Sequence, residues 1–208
     1  MLSIQSFRKD YSGKLILTCD QLEFPEGIHW IKGANGSGKS SLFKCIAGLS
    51  PFEGKIACHG IDLKKSPVDY KRVVNYAQAE PVFPESLHGI HVFEYFSKLK
   101  KSSKNQSKEL ELKFGLEPFI NEPIKAYSSG MTKKLALAIA FLGNPKLIIL
   151  DEPFNALDVA SRQTLFNLIE ERLEEGCSFL LSTHHDFGSE LDLKTRNWIV
   201  SNKTIREE

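Results

Sequence analysis

Cysteine is scarce and scattered in this sequence. Its four copies, Cys19, Cys45, Cys58 and Cys177, show no C-x-x-C and no other metal-ligand spacing. That excludes a cysteine-built metal site on spacing and points to a reducing compartment. An excess of either charge is also lacking: 27 Lys and Arg stand against 26 Asp and Glu, a formal net charge of +1. So balanced a chain offers no electrostatic case for nucleic acid as a general partner. Long apolar runs are missing, and none approaches the roughly 20 residues that a membrane-spanning helix needs. The opening "MLSIQSFRKDYSGK" has no apolar core of signal-peptide length. No internal repeat is visible. These absences lead to the expectation of a cytosolic protein whose membrane role would require a partner. What is present, 41% hydrophobic and 25% charged residues among 208, suits one domain with a substantial core.

Along the chain, residues 1–32 alternate short apolar runs with turns ("LILT", "EFPEG", "IHWIK") and read as strands. "GKIACHG" (54–60) and "RVVNYAQ" (72–78) read as further strands. Residues 85–121 differ, because "LHGIHVFEYFSKLK" and "SKELELKFGL" have helical spacing around polar "KSSKNQ". A further helix is expected after "YSSG", with Met131, Leu135, Ala138, Ile139 and Leu142 on one face and "GNP" (143–145) as its stop. "KLIILDEP" and "CSFLLSTHHD" read as buried strands with polar ends, "ASRQTLFNLIEERLEEG" as an amphipathic helix, and "NWIVSNKTIREE" as a closing hairpin. Alternating strands and helices favour a largely parallel sheet covered on both faces. The five lysines of 98–108 read as a solvated loop.

"GANGSGKS" (33–40) fits G-x-x-x-x-G-K-[ST] and lies between an expected strand and an expected helix. Gly33, Gly36 and Gly38 allow the backbone to curl so that its N–H groups converge on phosphates. Lys39 can neutralise the β- and γ-phosphates, and the Ser40 hydroxyl can ligate Mg²⁺. "LIIL" places Asp151 and Glu152 at the carboxyl end of a buried strand, where open α/β sheets bind ligands. Asp151 fits an Mg²⁺ partner acting largely through the ion's water shell. Glu152 fits a base that polarises water. "STHHD" ends the next strand, and His184 could hydrogen-bond a γ-phosphate. "YSSGM" (127–131) adds a second anion-binding helix start, since free N–H groups and the positive dipole end face outward there.

Taken together, these residues resemble the nucleotide-binding domain of ABC ATPases, essentially end to end. "GANGSGKS" looks like the Walker A loop, Gln78 like the Q-loop glutamine, and "YSSGM" like the signature motif. "LIILDEP" looks like Walker B, "NALD" (155–158) like the D-loop, and His184 like the switch histidine. The resemblance implies an α/β fold: a P-loop NTPase core with a mostly parallel sheet, an N-terminal antiparallel β part and an inserted small helical lobe. One domain (1–208) would comprise a catalytic core (1–84 and 146–208) and a helical subdomain (85–145). It also implies head-to-tail pairing, with each ATP between the Walker A loop of one subunit and the signature of the other. Asn35, Ser37 and Ser41 would join the loop glycines, Lys39 and Ser40 around ATP and Mg²⁺. Gln78 would sit beside the Mg²⁺ and the attacking water. Ser128 and Gly130 would meet the partner's γ-phosphate, Asp158 would signal across the interface, and Tyr11 would stack on adenine. The signature departs from the family's leucine-serine-glycine-glycine-glutamine at Ser129 and Met131, and Met at that place resembles export-type subfamilies.

The expected function is an ATP-hydrolysing subunit that pairs, most simply as a homodimer, and drives a separate transmembrane permease at the inner face of the cell membrane, in the direction of export. A soluble ABC ATPase of DNA repair or translation would bring long coiled coils or tandem domains. A P-loop small-molecule kinase would lack a signature helix and need a basic lid. Neither set of features is found.

Overall fold

The computed structural model describes residues 1–183 and 195–208. β1 (Leu2–Tyr11) and β2 (Lys14–Phe24) form a long hairpin, and β3 (Ile28–Lys32) leaves it for a second sheet. After α1 (Lys39–Ile46) the chain returns with β4 (Glu53–Cys58) and β5 (Ile61–Asp62), completing an antiparallel sheet of order β2-β1-β4-β5. Next come α2 (Pro67–Val73) and β6 (Val74–Ala77), then α3 (Gly89–Leu99), α4 (Lys104–Lys113) and α5 (Ser129–Ala140). β7 (Leu147–Asp151), α6 (Val159–Glu174), β8 (Ser178–Ser182), β9 (Thr195–Ser201) and β10 (Thr204–Glu207) finish the chain. The second sheet runs β10-β9-β3-β8-β7-β6 and is parallel except for the β9–β10 hairpin. This is the α/β architecture expected, with its N-terminal antiparallel sheet and its helical insertion between β6 and β7. Among the described residues, no helix is long and apolar enough to cross a membrane.

The parallel strands are unbroken apolar runs because both of their faces are covered. On β7, Leu147 and Ile149 join α1, α2 and the antiparallel sheet in one apolar cluster. Ile148 and Leu150 join α3 to α6 in the other. The helices of the insertion therefore share a core with the sheet. Leu110, Phe114, Leu116 and Ile120 pack in the same cluster as Phe179. All four cysteines are free thiols buried in the packing.

Three local expectations are corrected. "RVVNYAQ" is a strand only from Val74, because Arg72 and Val73 finish α2, which Pro67 starts with a φ already suited to a helix. "LILT" is part of one 11-residue strand that reaches Phe24. The lysine-rich stretch is solvated at Lys98, Lys101, Lys104 and Lys108, as expected, but it is largely helical rather than a loop. Lys98 lies in α3, Lys104 and Lys108 lie in α4, and Ser103 caps α4 by accepting from the Gln106 N–H (3.1 Å). Lys100 folds inward and donates to the carbonyls of Lys71 and of Val74 (3.1 Å), closing the end of α2. Burial pushes its pKa down to about 8.

One buried polar side chain ties β6 to the end of α5. Asn75 is 2% exposed, and its Nδ2 donates to the carbonyls of Ala140 (2.7 Å) and Leu142 (2.9 Å). Replacing it with Ala leaves two buried acceptors unpaired, at a cost of about 1–3 kcal/mol. Urea unfolding followed by circular dichroism should show a lower midpoint for Asn75→Ala with an unchanged slope. A midpoint equal to the wild type would mean that water satisfies these carbonyls as well as Asn75 does.

Candidate functional site

The loop from β3 into α1 is shaped by its glycines. Gly33 has φ +150°, and a Cβ there would fall 2.6 Å from the Val200 carbonyl oxygen and 2.8 Å from Ser37 Oγ. Gly38, at φ +111°, is the residue before α1, which no side chain caps. The first-turn N–H groups of α1 and its positive dipole end are thus left for an anion. Ser37 Oγ is buried and has no hydrogen-bond partner among the described residues. Lys39, 6% exposed, curls over the loop and donates to the carbonyls of Gly33 (2.7 Å) and Ala34 (3.1 Å). Burial lowers its pKa, and the nearby Glu152 and Asp151 oppose that shift. Glycine cradle, uncapped helix and orphaned hydroxyl together fit a polyphosphate.

The carboxylates stand at the end of β7. Asp151 is 1% exposed, its Oδ1 accepts from Ser182 Oγ (2.6 Å) and its Oδ2 from the Tyr76 hydroxyl (3.3 Å). These partners come from β8 and β6, the strands on either side. Burial, with the Asp151 charge adding to it, pushes the Tyr76 phenol far above its ordinary pKa. Glu152 is buried with φ +46°, and its N–H donates to Ser182 Oγ (3.0 Å). A left-handed backbone costs a residue with a Cβ about 1–2 kcal/mol, so the surroundings must hold it there.

A cavity of about 780 Å³ joins these parts. Asn35, Gly36, Ser37, Gly38, Lys39, Ser40 and Ser41 form its floor, and Glu152 opens into it. Ala79, Glu80 and Pro81, just past β6, form one wall. Ser129, Thr132 and Lys133 of α5, with Asn155 and Ala156, form another, and Ile16 completes the rim. Gly33 lies at the base of the loop and Asp151 behind Glu152. Gln78 is half-buried immediately before the Ala79 wall, and its carbonyl accepts from Lys133 Nζ (3.0 Å). Tyr11 is 48% exposed and is not part of the cavity lining, a place taken by Ile16. Its ring carries the Lys9 ammonium 4.1 Å from the centroid, and hydrogen bonds with Ser41 and Ser50 lower its pKa. His184 lies outside the described residues.

The signature segment forms the capped start of α5. Ser128 Oγ accepts from the Met131 N–H (3.2 Å), and the Ser128 N–H donates to Met131 Sδ (3.4 Å). The thioether thus closes a capping box in which Glu or Gln is the usual partner. Ser128 and Ser129 are exposed, whereas a Cβ on Gly130 would lie 2.9 Å from the Ala156 carbonyl oxygen. Asp158 caps α6 through the Ser161 N–H (2.8 Å) and pairs with Lys134 (2.9 Å). Those bonds, the Lys134 one first, hold its carboxyl well below the usual range.

Three residues absent from the sequence-based set build this site. Ser182 and Tyr76 hold Asp151, and Lys133 is 2% exposed with donors spent on three carbonyls. Ser182 carried a signal, since it ends the apolar run beside "LIILD". Lys133 carried none, because a lysine in a helix reads as a solvated face.

Comparison with protein families matches residues 21–155 to the family described as ABC transporter. The lantibiotic transport ATP-binding protein SrtF of Streptococcus pyogenes is 31% identical over 186 residues, covering 88% of this chain and 80% of its own length. The spermidine/putrescine import ATP-binding protein PotA of Mesoplasma florum is 30% identical over 217 residues, which cover this whole chain and 61% of PotA. A solved structure described as the ATP-binding subunit of an ABC transporter superposes with a TM-score of 0.89 at 26% identity, over 100% of this chain and 89% of the other.

Lys39→Ala removes the cation that faces the loop, and the lost charge-assisted contacts are worth about 1.5–3 kcal/mol, roughly a 10- to 150-fold weaker nucleotide affinity. Equilibrium titration with a fluorescent ATP analogue measures this. Unchanged affinity would place the nucleotide elsewhere.

Proposed function

This chain belongs to the ABC transporter family, and from that premise we propose that its cavity is one half of a composite ATP site whose other half is the signature turn of a second subunit. It is an ATPase subunit of a transporter. The observation that carries the reading is the convergence of residues 35–41 and Glu152 on one cavity, while Ser128 and Gly130 lie outside its lining and Ser128 stands exposed at a helix start in the same chain.

In this reading the loop N–H groups and Lys39 bind the β- and γ-phosphates, with Gly33, Gly36 and Gly38 shaping the cradle and Asn35, Ser37 and Ser41 completing it. Mg²⁺, when bound, neutralises developing charge on the phosphates. Ser40 and Gln78 would hold it directly and Asp151 through its water shell. The donor set suits that ion. Among the described residues no group of three or more His, Cys, Asp or Glu could cage a metal, and Mg²⁺ characteristically takes one or two protein oxygens plus phosphate and water. Glu152 draws the proton from the attacking water, with Gln78 assisting, and His184, outside the described residues, keeps the γ-phosphate role its motif implies. Tyr11, expected to stack on adenine, lies outside the cavity lining, and Ile16 holds the rim position nearest that role. Ser128 and the Gly130 N–H meet the partner's γ-phosphate, with the helix dipole of α5 behind them. Asp158, tied to Lys134, links that turn to the interface.

Binding would close the pair and hydrolysis release it, so the phosphate chemistry biases a conformational equilibrium. The core (1–84, 146–208) and the helical part (85–145) would transmit that motion to a separate transmembrane permease at the inner face of the cell membrane. Met131 supports export as the direction, whereas the relative PotA is named for import, so family membership alone does not set it.

Glu152→Gln keeps the side chain's size and removes the base. Turnover should drop by roughly 10²–10⁴ while ATP affinity survives, because the loop is untouched. The variant should shift from monomer to dimer with MgATP and stay monomeric with MgADP, as read by light scattering beside a phosphate-release assay. Near-normal hydrolysis would remove Glu152 as the base. Subunit mixing tests the shared site separately. Ser128→Arg and Lys39→Ala should each be inactive, and their mixture should regain part of the activity, since each mixed dimer holds one intact composite site. No recovery with heterodimers demonstrably formed would defeat the head-to-tail arrangement.

A further inference from the structure

The peptide plane between Asp151 and Glu152 is clamped at both ends. Its N–H donates to Ser182 Oγ (3.0 Å), and its carbonyl accepts from Lys133 Nζ (3.1 Å). Lys133 comes from the first turns of α5, four residues after the exposed tip of the signature turn at Ser129. Its two other donors reach the carbonyls of Gln78 (3.0 Å) and Ala79 (3.1 Å), just beyond the end of β6. An ammonium has three protons, and all three are used.

The placement follows from strand pairing. β6 and β7 are parallel neighbours with Ala77 opposite Leu150, so their ends present carbonyls side by side. Those carbonyls lie past the last paired residues, and a buried cation aimed between them satisfies all three. Two successive carbonyls, of Gln78 and Ala79, turn toward the same nitrogen. That sets the backbone that carries the Gln78 side chain and begins the Ala79–Pro81 wall of the cavity. The third bond fixes the plane that leads into the left-handed Glu152.

We propose that Lys133 is a positioning residue for hydrolysis: it locks the signature helix to the backbone of Gln78 and Glu152, so that the base and the Q-loop glutamine are aimed only while α5 is seated. The proposal rests on the reading of Glu152 as the base. Lys133 acts through backbone carbonyls, not on the nucleotide. Its loss should therefore lower kcat and leave ground-state nucleotide binding intact. Because one side chain joins the signature helix to the carboxylate edge, a displacement of α5 by a partner subunit is felt at Glu152 within the same chain. Burial pushes the lysine's pKa down to about 8, with the neighbouring Asp151 and Glu152 opposing, which fits an ammonium whose only direct partners are neutral carbonyls.

The test compares Lys133→Met, Lys133→Gln and Lys133→Arg in the full chain, with Glu152→Gln alongside. Phosphate release gives kcat and KM, and titration with a fluorescent ATP analogue gives affinity. Expected for Lys133→Met is a kcat lower by roughly 10- to 100-fold with affinity within about threefold of wild type. Lys133→Arg and Lys133→Gln, which keep donors, should recover part of the rate. If the methionine protein does not fold, the glutamine and arginine proteins decide: reduced kcat at unchanged affinity supports the proposal, and wild-type kcat in both overturns it. Equal loss of affinity and rate in every Lys133 variant, in step with the folded fraction, would show a purely structural lysine and overturn it as well. Inactive Glu152→Gln beside normal Lys133→Met sinks the proposal and leaves the base reading standing. Normal Glu152→Gln sinks both.

Discussion

Parallel pairing puts the carboxyl ends of neighbouring strands at one edge of a sheet, and the whole site is built on that constraint. β3, β6, β7 and β8 end in Lys32, Ala77, Asp151 and Ser182. Residues far apart in the chain therefore meet: the phosphate loop follows β3, Gln78 follows β6, Glu152 follows β7, and Ser182, ending β8, stands between the phosphate loop and Glu152. The apolar runs that make these strands cohere leave no room for polar groups until the strand stops. Chemistry is confined to the edge because the interior excludes it.

Polar groups at that edge are buried, and each needs a partner. Asp151 has Ser182 and Tyr76, the Asp151 carbonyl has Lys133, and Lys39 has the carbonyls of its own loop. Helix starts around the cavity divide the same way. α5 and α6 carry their own caps, Ser128 and Asp158, while α1 begins at a glycine with no side chain to satisfy it. The uncapped start lies at the cavity floor, and the capped ones belong to segments set against each other, with Lys134 paired to Asp158 and the Ala156 carbonyl packed close on Gly130.

The parts of the fold set by local chemistry were legible beforehand. "LIIL" could only be a strand covered on both faces, and "GANGSGKS" requires backbone that glycine alone adopts without strain. What escaped was decided by tertiary contact. α2 needs Pro67 to start and the sheet to end it at Val74, and neither the start nor the stop stands out in "RVVNYAQ". The lysines of 98–108 look uniformly solvated, yet Lys100 turns in to the carbonyls of Lys71 and Val74 while Lys108 stays outside with Glu111 and Glu117. Lys133 and Lys134 are neighbours of the same type, one sealed and one half-buried at the surface. Only the carbonyls brought by other strands separate them.

The closing hairpin sits against the first residue of the phosphate loop. β9 lies beside β3, Trp198 Nε1 donates to His29 Nδ1 (3.0 Å), and the Val200 carbonyl stands where a side chain on Gly33 would have to go. The loop's entry is thus bounded by a strand that contributes no residue to the cavity lining. Substitutions that fatten or shift β9 would narrow the space at position 33 without touching any nucleotide-facing residue. Over sequence change, the glycine at 33 is held three ways: the Val200 carbonyl and Ser37 Oγ close the space beside it, and a φ of +150° strains any other residue even where β9 has moved off.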